Sequence, residues 1–148
     1  MKRCFLLLPL LMFALAIGCE KGRGLPVNYV EGVVLFDGEP LEGATITFVP
    51  KTESKDIEAA AGRTDASGKY TLTSMNGDPG KGALAGEYVV LVNKLINLSP
   101  PGFNPADPTP PPTKRVTPIV YNDRLKSPLN TSVVKGKNKC DFELKSKP

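Results

Sequence analysis

Short apolar-polar alternations run through the chain from residue 27 onward, and one unbroken apolar stretch occupies its start. Residues 29–36 read as a strand. Asp37-Gly38-Glu39-Pro40 reads as a turn, because Asp-Gly tolerates the positive φ of tight turns. Residues 44–49 alternate cleanly, with Ala44, Ile46 and Phe48 inward, and Pro50 ends the run. Residues 57–64 are ambiguous: their alanines favour helix, whereas their length and the turn that follows favour strand. Asp65-Ala66-Ser67-Gly68 turns the chain, and residues 69–73 return it with Tyr70 and Leu72 on one face. After a glycine-rich loop at 75–85, residues 86–92 predict a central strand, apolar on both faces. Residues 116–121 predict a short edge segment. Residues 131–134 and 139–144 predict a closing hairpin turned at Gly136-Lys137-Asn138. Short strands with frequent turn signals, and no amphipathic helix, predict an all-β antiparallel sandwich.

Residues 99–118 break this rhythm. They hold Pro100, Pro101, Pro105, Pro108, Pro110, Pro111, Pro112 and Pro118, more than half of the chain's 15 prolines. Such density opposes a sheet ladder and favours extended polyproline structure. Strand pattern resumes afterwards, so the segment is an insert within one domain, 27–146. It is either a stiff connector or a candidate contact loop, with Phe103 and Tyr121 as its exposed aromatic candidates.

The first residues have a different layout. Lys2 and Arg3 precede an apolar run from Phe5 to Ile17, and Gly18-Cys19 is followed at once by polar residues. That is the order of a secretory signal, and the run is shorter than the roughly 20 residues of a membrane span. Leu15-Ala16-Ile17-Gly18-Cys19 resembles the lipobox of bacterial lipoproteins, with Ala16 where leucine is usual. The resemblance implies cleavage after residue 18, acylation of Cys19 and a short tether at 19–26. It also implies a protein held on the cell envelope by its lipid. Glu20, in place of aspartate, points to an outer rather than an inner membrane. One acyl chain anchors only marginally, at about 0.8 kcal/mol per buried methylene, and the several chains of a lipoprotein cysteine would anchor durably.

Composition narrows the chemistry. Without residues 1–18 the chain keeps 130 residues, enough for one domain with a core. Its formal charge falls from +4 to +2 as Lys2 and Arg3 leave. No basic-aromatic interleaving suggests nucleic acid. Of three cysteines, Cys4 leaves with the signal, Cys19 is the acylation candidate, and Cys140 alternates with Phe142 and Leu144 as a core thiol. No disulfide framework follows. The chain has no histidine, which removes Ser-His-Asp and Cys-His catalysis and the usual zinc sites. It has no tryptophan, which weakens a sugar-stacking platform. Asn76, Asp78, Asp65 and Asp123 are loop oxygens without calcium-loop spacing. Neither a metal nor a cofactor is expected.

Three blocks then resemble bacterial carboxypeptidase regulatory-like domains: residues 32–48 with Asp37-Gly38 and Leu41-Glu42-Gly43-Ala44, residues 62–72 with Thr64-Asp65 and Gly68-Lys69-Tyr70, and Gly86-Glu87-Tyr88-Val89-Val90. The resemblance implies an antiparallel seven-stranded Ig-like, transthyretin-like (prealbumin-like) β-sandwich. Gly38, Gly68, Asp37 and Asp65 then suit turns, and Tyr70 and Tyr88 suit inward packing. That fold also hosts hydroxyisourate hydrolases, whose activity uses histidines that this chain lacks. The expectation is a non-catalytic, membrane-anchored accessory or adhesion module with a protein or polysaccharide partner. A surface carbohydrate-binding module is the alternative.

Overall fold

The computed structural model describes residues 26–52, 57–75, 82–100, 102–104 and 110–147. The signal segment, Cys19 and the tether up to residue 25 lie outside the described residues, as do Asn76 and Asp78. Among the described residues the chain is all-β: twelve strands and one short 3-10 helix, Ile119–Asn122. In order the strands are β1 Tyr29–Phe36, β2 Glu39–Pro40, β3 Thr45–Pro50, β4 Ala60–Arg63, β5 Lys69–Thr71, β6 Thr73–Ser74, β7 Gly86–Asn93, β8 Leu95–Asn97, β9 Thr113–Arg115, β10 Asn130–Val133, β11 Lys137–Lys139 and β12 Phe142–Leu144.

Two five-stranded sheets share one core. The first is built on β1. Its first half pairs with β11 and β5, its second half with β12 and β2. The second has the order β10-β7-β3-β4-β6, antiparallel throughout. The alternating positions fill the space between them: Val30, Val34, Ile46, Phe48, Leu72, Tyr88, Val90, Val92 and Leu144 are all fully buried. Phe48 on β3 reaches across to Tyr70 on β5 and Phe142 on β12, with ring centroids 6.5 and 6.1 Å away, and lies 5.7 Å from Tyr88. Tilted and edge-on aromatic pairs at such distances add to the area term of burial.

The turns form where the sequence places them. Asp37 and Gly38 have φ of 51° and 89°, and Gly68 has 72°. The Asp65 carboxylate accepts the N–H groups of Ser67 and Lys69, which closes the turn into β5. The ambiguous segment 57–64 supplies β4, because its residues pair with both β3 and β6. After Tyr70 the chain changes sheets: β5 pairs with β1 and β6 with β4, and Leu72 at the switch donates its N–H to Val30 at 3.0 Å.

Three expectations are corrected. The closing hairpin does not form. Its turn is at Gly136, φ 106°, but β10 pairs with β7 in one sheet while β11 and β12 pair with β1 in the other. The Asn138 side chain takes the place of a strand partner, accepting from the Val134 N–H at 2.9 Å and donating to the Val134 carbonyl at 2.8 Å. The sheet on β1 is also not purely antiparallel, since β11 and β12 both run parallel to it. Residues 116–121, expected as an edge strand, hold the 3-10 turn instead, begun after Pro118.

Between β11 and β12 the ladder on β1 is interrupted. The Cys140 N–H bonds to the Glu31 carbonyl at 2.8 Å, and the Asp141 carboxylate takes the Val33 N–H at 2.9 Å. The Cys140 carbonyl turns inward over Gly32, where a Cβ would lie 1.8 Å from its oxygen. The Tyr70 hydroxyl donates to that same oxygen at 2.6 Å. Only glycine fits beneath, and the buried carbonyl is satisfied by the one side chain above it.

Chain entry and the far end of β7 lie at opposite ends of the sandwich. Asn28, just before β1, exchanges backbone bonds with Ala83, just before β7, and its side chain accepts from Gly136. The last residue of β7, Asn93, faces Thr45 at the other end. At about 3.3 Å per residue the two ends are roughly 25 Å apart.

Gly32→Ala is expected to lower stability by about 3 kcal/mol or more, because backbone must move. Tyr70→Phe, which leaves the Cys140 carbonyl unpaired, is expected to cost about 1–3 kcal/mol. Urea unfolding of both variants checks this. Near-neutral changes in both would contradict the described packing.

Candidate functional site

The proline-rich segment is carried on a two-stranded arm. β7 continues past the sandwich through Lys94 into β8, and β9 returns beside it with Leu95 opposite Arg115, Ile96 opposite Lys114 and Asn97 opposite Thr113. Leu98 donates its N–H to the Pro112 carbonyl at 2.8 Å and completes the ladder. The root is tied into the sandwich. The Lys94 N–H bonds to the Thr117 hydroxyl at 3.1 Å, the Val116 N–H bonds to the Lys94 carbonyl at 2.9 Å, and the Arg115 guanidinium bonds to the Asn93 side chain. Thr117 itself is buried.

The expectation that proline density prevents a ladder throughout 99–118 is therefore corrected. Among the described residues, Pro112 closes the ladder as an acceptor alone, taking the Leu98 N–H with no N–H to return, and the non-proline residues Thr113–Arg115 form β9. At the tip, the Asn97 side chain accepts the Ser99 N–H at 3.1 Å and Phe103 bonds back to Pro100 at 3.1 Å. Residues 101 and 105–109 lie outside the described residues.

Every residue of β8 and β9 is exposed. Three aliphatic side chains of the arm stand in solvent: Leu95 at 47%, Ile96 at 38% and Leu98 at 48% exposure. Beside them stand the cations Lys94, Lys114 and Arg115, and the described residues between 93 and 118 include no carboxylate. A two-stranded ribbon without a packed face is marginal by itself. Its order here comes from the root bonds.

The two aromatic candidates separate. Phe103 is half-buried at the tip. Tyr121 is buried at 3% exposure, and its hydroxyl accepts the Lys145 N–H at 3.0 Å. The expected exposed stacking face at Tyr121 does not exist, because the 3-10 turn after Pro118 rolls the ring under the chain and leaves Ile119 outside at 63%. Leu95, Ile96, Lys114 and Arg115 were not singled out from the sequence. The signal for β8 is the aliphatic Leu95-Ile96-Asn97-Leu98 just before the prolines, which lies between the expected strand at 86–92 and the insert at 99–118 and belongs to neither.

A second concavity, an open cleft of about 700 Å³, lies over β1 and β5 and is lined by Glu31, Arg63, Asp65, Lys69 and Lys139 among others. Its carboxylates are engaged locally. Glu31 accepts from the Tyr29 hydroxyl at 2.9 Å, and Asp65 accepts from Ser67 and Lys69. Hydrogen bonding from Ser67 and Lys69 holds the Asp65 carboxyl below its ordinary 3.8. Lys139 pairs with Asp141 at 3.2 Å. The Tyr70 hydroxyl at the cleft floor is donated to Cys140, and burial pushes it far above its ordinary value. Cys140 is buried, with its sulfur 3.4 Å from the Thr131 hydroxyl. Asp65 and Asp123 each close their own turn, and no group of three or more metal-ligating side chains gathers among the described residues.

Compared with family models, curated proteins and solved structures, the chain matches none of them.

Tyr121→Ala is expected to lower stability by about 3 kcal/mol, as removal of a buried aromatic ring does, measured by urea unfolding. A variant with unchanged stability would contradict its burial. Asp65 is expected to titrate below 3.8 by NMR. Its folded value is depressed, so its contribution is complete above the unfolded value and is lost as pH falls through the folded one. Asp65→Asn is expected to flatten that acid limb.

Proposed function

We propose that the chain is a non-catalytic, lipid-anchored module of the cell envelope that presents the β8–β9 arm to a partner protein. The arm carries this reading: it is ordered at its root, exposed on both faces and free of core duty. Large apolar side chains held out in solvent on an ordered element mark interaction surfaces.

The finer fold is a transthyretin-like sandwich. Its support is the pair of sheets around one core, the positive-φ turns at Gly38 and Gly68, and the inward Tyr70 and Tyr88. The anchor is the acylated Cys19, supported by the lipobox-like sequence before it. From Cys19 to Pro26 the chain could span at most about 25 Å. This tether joins the sandwich at the end opposite the arm, so anchoring would hold the arm outward.

The non-catalytic reading rests on a chain without histidine and on a cleft whose carboxylates and tyrosine are committed to local bonds. A polysaccharide-binding role had Tyr121 and Phe103 as its stacking residues. With Tyr121 buried and Phe103 half-covered, a protein partner is the better fit to an aliphatic and basic arm.

Intact mass of the protein extracted from membranes is expected to show a chain beginning at Cys19 with added acyl mass, absent in Cys19→Ala. An unmodified, soluble chain would refute the anchor. For the arm, a photo-cross-linking residue at Leu98 is expected to trap one protein in cells, and one at Lys135, near the opposite end, is not. Identical products from both positions would refute the arm as contact element.

A further inference from the structure

The ladder of β7 has a fixed parity that continues into the arm. The N–H and C=O of Val90 bond to Leu129 and Ser127 on the β10 side. Four residues on, both backbone groups of Lys94 bond to residues 116 and 117, the same side. Leu98 bonds in that direction as well. Leu95 and Asn97 therefore turn their N–H and C=O groups the other way, toward the side on which β3 flanks β7. β3 begins at Thr45 opposite Asn93 and goes no further. Above it the outer edge of β8 has no ladder partner among the described residues.

Edges of this kind are normally blunted by charge, proline or a bulge. The outer edge of β9 is blunted, with Lys114 and Arg115 on it and Pro110, Pro111 and Pro112 before it. The outer edge of β8 is not. Its residues are Leu95, Ile96 and Asn97, with Leu98 following. Each face of the ribbon sets an aliphatic β8 side chain beside a basic β9 side chain: Leu95 with Arg115 on one, Ile96 with Lys114 on the other. A strand laid along β8 would touch the aliphatic residues directly. The cations would stand about 10 Å away, one strand further, within reach of long acidic side chains.

We infer that the free edge of β8 takes an extended, carboxylate-bearing peptide segment of a partner protein as an added strand. This rests on the reading of the arm as the contact element. Main-chain bonds from Leu95 and Asn97 give the pairing, and Lys94, Lys114 and Arg115 select the charge of the incoming segment. A second copy of this chain is a poorer occupant, because edge-to-edge pairing of two arms sets like charges against each other. A sugar polymer would leave the aliphatic side chains unused.

The test is fluorescence anisotropy of a labelled, capped Glu-Val-Glu-Val-Glu-Val peptide with the full-length chain in detergent, beside a Lys-Val peptide of the same length. The acidic peptide is expected to bind in preference to the basic one. Asn97→Pro removes an outward N–H that the β8–β9 ladder does not use, and with it the side-chain oxygen that accepts from Ser99; Asn97→Ala, which loses only that oxygen, is the control and is expected to bind the acidic peptide like the unaltered chain. Asn97→Pro is expected to weaken acidic-peptide binding roughly tenfold, the equivalent of one or two backbone hydrogen bonds. Lys114→Glu is expected to weaken the acidic peptide and favour the basic one. Binding undiminished in Asn97→Pro, or no preference for the acidic peptide, overturns the proposal. So does arm-dependent self-association or arm-dependent binding to phosphatidylglycerol vesicles in place of peptide binding. Replacing residues 95–115 by Gly-Gly separates the two levels. Peptide binding lost there but kept in Asn97→Pro rejects edge pairing and leaves the arm as contact element. Binding kept in both rejects the arm as well.

Discussion

The Cys140 carbonyl, turned into the core over Gly32 and held by the Tyr70 hydroxyl, is the contact on which the first sheet depends. An inward-facing backbone oxygen needs a partner, since leaving it bare costs about 1–3 kcal/mol. Tyr70 supplies that partner from β5, across β1. The same ring packs against Phe48 of the second sheet. One side chain therefore joins three things: the closing segment of the chain, the central strand of the first sheet and the core between the sheets. Gly32 follows from this geometry, because any side chain there would occupy the place of the carbonyl.

That contact explains why the end of the chain pairs as it does. β11 and β12 divide one strand's length between them, and the dislocation at Cys140 and Asp141 lets both halves register on β1. With β1 serviced on its full length, the terminal segment is locked down to Ser146, whose N–H bonds to the Asp37 carboxylate at 3.0 Å. That bond lowers the Asp37 pKa. The sandwich closes without β8 and β9, and the described residues of the arm are tied to it only at their root. A structure that is complete without a segment leaves that segment free for contact.

Much of the sandwich was legible because alternation is a local signal. Ile46 and Phe48 were placed inward, and Tyr70 and Leu72 on one face, by the two-residue period of their strands, Tyr88 only by the resemblance, and Gly38 and Gly68 by the backbone angles their turns require. What was not legible depends on partners distant in sequence. Nothing near residue 140 announces that its carbonyl will meet Tyr70, so a hairpin was the natural expectation for the last two strand patterns. Tyr121 read as surface because it ends an expected edge segment beside the proline-rich insert. Its burial is decided by the 3-10 turn after Pro118 and by the Lys145 N–H that its hydroxyl accepts. The arm was half legible. Its prolines marked a contact loop but masked the short strands on either side of it, and with them the exposed Leu95, Ile96, Lys114 and Arg115.

The proposed anchor and the proposed contact arm meet in one quantity, the orientation of the arm relative to the membrane. The direct measurement is energy transfer to a membrane-embedded acceptor lipid, from a fluorophore placed at Leu98→Cys or at Lys135→Cys, in vesicles carrying the protein purified from membranes. Strong transfer from position 135 and weak transfer from position 98 is the expected result. Equal transfer, or stronger transfer from position 98, would mean that the arm lies at the membrane and is not held out to a partner.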